Sequence, residues 1–242
     1  MGAALGWGGL AASSLVLGAG LALVRAWPTR LVGLVLAFGA GALIAAVSFE
    51  LAEEGARIGG MRAVAAGLAV GALAYYVLDG VVARHGSGRR GRRGRTSAPD
   101  AGSALALGAF LDGVPEQLVL GIGLALGHGV GLGLLVAIFV SNLPEAIGSA
   151  SDMRKAGRRN GTIVRLWLAV AVICALSTVA GYALADVAPG ELKAAINGFA
   201  AGALLVMLVD SMIPEAAKDA GRTAGLATVV GFAIATALSS AT

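Results

Sequence analysis

Residues 101–151 read AGSALALGAFLDGVPEQLVLGIGLALGHGVGLGLLVAIFVSNLPEAIGSAS. The stretch is two apolar runs joined at Gly127-His128-Gly129, and each run is broken once by a polar cluster. The first cluster is Phe110-Leu-Asp-Gly-Val-Pro-Glu-Gln117 and the second Phe139-Val-Ser-Asn-Leu-Pro-Glu-Ala146. Laying Phe110 on Phe139 superposes Phe, Pro and Glu and sets Asp112 and Gly113 opposite Ser141 and Asn142. About 20 apolar residues cross a bilayer as a helix, and each run meets that length. A carboxylate at the centre of such a helix costs at least about 2.5 kcal/mol, so carboxylates that recur there read as functional.

Helical spacing gathers these groups. Asp112 and Glu116 share one helical face, Ser141 and Glu145 share another, and Asn142 stands one turn before Glu145. An antiparallel hairpin turning near Gly127 and His128 sets Asp112 level with Leu143, which brings Ser141, Asn142, Glu145 and Glu116 within about one 5.4 Å turn. Pro115 and Pro144 have no N–H, so the carbonyls of Leu111 and Val140 lose helical partners and each helix is expected to kink. Carboxylate, amide, hydroxyl and carbonyl oxygens then converge at mid-membrane. Hydrocarbon tolerates such a set where it lines a cavity or holds a ligand, and a divalent cation satisfies it as a whole. The candidate metal ligands are Asp112, Glu116, Ser141, Asn142 and Glu145. The other reading is a hydrogen-bonded polar seam in which the prolines are plain kinks.

The rest of the chain is of the same kind. Of its 242 residues 57% are hydrophobic and 13% charged, against roughly 25% charged in soluble domains. A single cysteine, Cys174, excludes a disulfide scaffold, and the wealth of aliphatics excludes a disordered chain. Apolar runs place eight spans at about 3–24, 31–52, 63–83, 101–126, 129–151, 162–185, 192–217 and 223–241. The expectation is an all-α membrane protein of eight transmembrane helices. It is organised as 1–83 with helices 1–3, an Arg-rich cytoplasmic loop at 84–100, the central pair at 101–151, and helices 6–8 at 152–242.

The net charge of +4 is a topology signal. The stretches Arg84–Arg95 and Arg154–Arg165 hold 11 of the 18 basic residues and fall on the same side, as do Arg25, Arg30, Lys218 and Arg222. The positive-inside rule makes that side cytoplasmic and both termini extracytoplasmic, in a cell (inner or plasma) membrane. The loops then face anionic lipid of the bilayer, and no nucleic acid partner is expected. The first span lacks the basic start of a signal peptide and is expected to remain.

Span 2 also resembles span 7. Shifted by 161, Ala40–Gly60 falls on Ala201–Gly221, pairing Glu54 with Glu215 and Arg57 with Lys218. A shift of 160 continues into the next spans, pairing Arg62 with Arg222 and Gly71 with Gly231. Spans five apart run in opposite directions, so the plan is three helices, a central pair and three inverted helices.

These motifs and this plan resemble the ZIP family of divalent metal transporters. The family carries paired His-Asn-x-Pro-Glu-Gly-like motifs on spans 4 and 5. Here the two Pro-Glu pairs and Asn142 match, while Asp112 and Ser141 stand where the histidines are usual. Met212-Ile-Pro-Glu-Ala216 and Ser48-Phe-Glu-Leu51 resemble further family segments. The resemblance implies a secondary transporter, not an enzyme, that moves metal into the cytoplasm by an elevator-like shift of spans 1, 4, 5 and 6 against spans 2, 3, 7 and 8. It implies zinc as the default cargo and no prosthetic group. Oxygen ligands in place of imidazole suit Mn²⁺, Mg²⁺ or Ca²⁺, with Fe²⁺ a further candidate; Cd²⁺ is another candidate cargo. Two departures stand out. Span 6 from Ile163 to Ala185 has no acid for the family's second metal site, and His85 is the lone histidine of the 3–4 loop. Glu50, Asp79 and Asp210 are candidate pathway residues; Trp7, Trp27 and Trp167 read as an interfacial belt. A homodimer is a further expectation. The alternative function is a metal-binding membrane sensor or scaffold that does not transport.

Overall fold

The structure is a computed structural model that describes residues 1–87, 101–125 and 132–240, with 82–87, 101–112 and 186–187 as backbone only. The loop arginines from Arg89 onward and His128 therefore lie outside the described residues, as do the side chains of Arg84, His85 and Asp112. The described residues form eight helices: α1 (Gly2–Val24), α2 (Thr29–Gly59), α3 (Met61–Ser87), α4 (Ala101–Ala125), α5 (Leu132–Lys155), α6 (Asn160–Val187), α7 (Gly190–Ala220) and α8 (Thr223–Ser239). Six of them are long and apolar enough to cross a membrane; Gly113–Ala125 and Thr223–Ser239 are shorter apolar helices. Helices are the form such a sequence must take, because hydrocarbon offers no partner to an unpaired backbone group. Large apolar side chains point outward, as Leu73 at 63% and Leu226 at 71% exposure do, which suits a lipid-facing surface.

The ends of the helices follow local chemistry. Pro28 precedes α2 and Pro189 precedes α7, where a missing N–H costs nothing. Gly60 at φ 87° and Gly221 at φ 60° stop α2 and α7 in a region that side chains avoid. These two glycines are partners under the 161 shift, and so are two wide turns. Residues Ala46–Glu53 of α2 and Leu208–Met212 of α7 are π-helical, with 47–51 falling on 208–212.

Packing repeats the same pairing. The α2–α8 contact mirrors α3–α7, and α1–α5 mirrors α4–α6. Gly71 faces the Phe199 carbonyl, and its partner Gly231 faces that of Phe38. Gly41 faces the Thr228 carbonyl, and Gly202 that of Leu68. A Cβ at any of these four would overlap the facing oxygen, so the small residues set how closely the helices approach. The helices divide into two groups: α2, α3, α7 and α8, and α1, α4, α5 and α6. A large apolar cluster centred on Leu43, Leu204 and Leu208 joins the first group to α4 and α5. A smaller one, around Leu15, Ile163 and Trp167, holds α1, α5 and α6.

Trp167 corrects an expectation. It is fully buried in that second cluster and is no interfacial residue. A small-residue helix such as α1 lets a large indole fill the interior, which an apolar count cannot foresee. Trp27 is half-buried, donates its Nε1 to the Leu21 carbonyl at 3.0 Å and carries the Arg25 guanidinium 4.5 Å over its ring.

Candidate metal centre between α4 and α5

Both proline motifs lie on helices that continue through them, with Pro115 inside α4 and Pro144 inside α5. The two helices bring their polar clusters together. Glu116, Ser141 and Asn142 are each about 1% exposed, and Asn142 Nδ2 donates to Glu116 Oε2 at 3.4 Å. Ser141 donates its hydroxyl to the Ile138 carbonyl at 3.1 Å. Glu145 is half-buried one turn further along α5. Asp112 lies in α4 one turn before Glu116, its side chain outside the described residues.

Three neighbouring helices wall the cluster. Gly39 of α2 lies against the Ser141 backbone, and Gly18 of α1 against the Leu143 carbonyl. Gly113 makes room for the Cys174 thiol of α6, which would stand 2.9 Å from a Cβ at that position. Cys174 is fully buried and within electrostatic reach of Glu116.

A second polar contact escaped the reading of the sequence. Thr178 of α6 donates to Gln117 Oε1 at 2.5 Å, both fully buried, and Gly8 of α1 packs on the Thr178 side chain. Gln117 ends the first motif, but a threonine inside a helix bonds its own backbone so readily that nothing in sequence marks Thr178 as a partner. Helix α6 also runs to Val187, so Asp186 falls in its last turn, beyond the span expected to end at Ala185.

The remaining candidates lie away from this centre. Glu50, on the π-turn of α2, accepts the Leu134 N–H at 3.0 Å and also hydrogen-bonds Ser239. Asp210, on the π-turn of α7, is exposed, as is Asp79. Glu54 pairs with Arg57 at 2.9 Å. Among the described residues no three His, Cys, Asp or Glu side chains gather as a metal cluster. The oxygen set at α4 and α5 is instead mixed: a carboxylate, an amide and a hydroxyl, with Glu145 adjoining. Hard or borderline divalent cations take such donors.

The model of the ZIP zinc transporter family matches residues 83–239, which takes in α4 to α8 and the central pair. No curated protein matches the chain.

Proposed function

The chain belongs to the ZIP zinc transporter family and is thus a multi-pass membrane transporter of divalent metal, and on that premise we propose that it binds the metal between α4 and α5 and releases it into the cytoplasm. The ligands are Asp112, Glu116, Ser141, Asn142 and Glu145, helped by the Leu111 and Val140 carbonyls that the prolines leave unpaired. The observation that carries this reading is the buried contact of Glu116 with Asn142, one group from each motif. A carboxylate is costly to bury unless it is paired, and a cation is the partner that would also satisfy the neighbouring oxygens. Zinc is the family's metal, and oxygen donors extend the range to Mn²⁺ and Fe²⁺.

The two packing groups support a mode of movement. Helices α1, α4, α5 and α6 carry the metal and slide as a body against α2, α3, α7 and α8, an elevator-type alternating access. Glu50 and Asp210, on the repeat-related π-turns, mark the two ends of the path. The basic loops lie in the cytoplasm and the termini outside it.

Proteoliposomes test this. Glu116→Ala combined with Glu145→Ala is expected to abolish uptake of zinc and manganese while the protein still folds; unchanged flux would remove these residues from the site. Metal-dependent thermal stabilisation of the unaltered protein without any uptake would favour the sensor or scaffold instead. Competition among Zn, Mn, Fe, Co and Cd in the same assay ranks the cargo.

A further inference from the structure

The two three-helix repeats match in sequence, yet they meet the central pair differently. Gly39 of α2 lies against α5, where a Cβ would stand 2.9 Å from the Ser141 Cα. Under the same shifts its counterpart is Ala200 of α7, and that of Ser141 is Asp112 of α4. Ala200 lines a cavity of about 470 Å³ that opens between α7 and α4, with Val70, Pro115, Val119, Leu184 and Ile196 among its walls. The α2–α5 boundary is packed through, whereas the repeat-related α7–α4 boundary, though in contact, leaves this gap.

Glu50 sits across the closed boundary. Leu134 is in the first turn of α5, where an N–H has no partner within the helix and the helix dipole favours a negative group. Glu50 Oε1 accepts that N–H, and Ser239 at the end of α8 bonds the same carboxylate. Gly133 gives the room, since a Cβ there would come within 2.5 Å of Glu50 Oε1. The counterpart of Glu50 is Ser211, next to Asp210, and the counterpart of Ser239 is Asp79. All three are exposed.

We propose that Glu50 is a latch: it ties the start of α5 to α2 and α8 while the cavity beside α4 stands open, and releases when α1, α4, α5 and α6 move to close that cavity. The inference rests on the elevator reading above. Glu50 is a positioning residue in it, acting through its contact with α5.

A reversible bridge tests the latch. Gly133→Cys with Ser239→Cys puts the two Cβ atoms 3.5 Å apart, inside disulfide range, and a Cβ at 133 crowds Glu50 aside, so the oxidised pair replaces the carboxylate contact with a covalent tie between α5 and α8. In proteoliposomes, oxidising this pair is expected to cut zinc uptake at least tenfold below that of the same variant kept reduced, with dithiothreitol restoring it. Full uptake by the bridged protein, its disulfide verified by mass, overturns the latch, because a merely structural contact tolerates being fixed. Should the reduced pair fail to transport, the unaltered protein decides. Saturating zinc should speed amide exchange across 132–138 at least threefold, and exchange indifferent to zinc overturns the proposal. Failure of the unaltered protein to take up zinc is a separate result, which removes the transport reading itself.

Discussion

Glu116 and Asn142 show what a single pair decides. A hydrogen bond to a charged group contributes about 1.5–3 kcal/mol, and stranding a buried carboxylate costs at least as much. Asn142→Leu keeps the branched shape but removes the donor, so metal affinity should drop at least tenfold and stability by about 1–3 kcal/mol. Thr178→Val deletes the hydroxyl that reaches Gln117 at a comparable stability cost. Its metal affinity should stay at the level of the unaltered protein. Thermal unfolding in detergent together with metal titration separates the two; an equal loss of affinity would extend the centre to α6. The sequence showed Glu116, Asn142 and Glu145 because charge and amide inside an apolar run have no cheap explanation. It did not show Gln117 with Thr178, because a helical threonine is satisfied locally and its burial leaves no trace in composition.

At the level of helices, packing depends on side chains that are absent. Gly71→Ala and Gly231→Ala each set a Cβ against a carbonyl of the facing helix, and overpacking of this kind costs about 1–3 kcal/mol. The two variants should lose stability alike, while Gly80→Ala, with nothing within 4 Å, should be neutral. The temperature at which the solubilised protein loses its monodisperse peak measures this, and unequal losses would break the equivalence of the repeats. Apolar run length placed the helices well, since hydrocarbon thickness sets it. The runs fell short for α2 and α7, which continue to Gly59 and Ala220 with Glu54, Arg57, Glu215 and Lys218 on their final turns. A hydropathy run fades where charges accumulate, whereas a helix stops at its capping glycine. The π-turns were not legible at all, because one extra residue per turn leaves no residue-type signature.

For the molecule as a whole, the repeat was legible as a charge register, and its breaking was not. Two sequences related by a shift say nothing of which boundary is closed, because that depends on the state the molecule occupies. Orientation is testable at residues that touch no neighbour. Gly2→Cys and Gly161→Cys are exposed at the start of α1 and of α6, and Cys174 is buried and silent. In intact cells a membrane-impermeant thiol reagent should label position 2 at once and position 161 only after permeabilisation; the reverse pattern would invert the topology. All three tryptophans, Trp7, Trp27 and Trp167, lie on α1, in the turn after it, and on α6. Helices α2, α3, α7 and α8 contain none. The protein thus carries its own optical label on one helix group and leaves the other dark, so a shift in indole emission on adding metal would report one side of the motion without any dye.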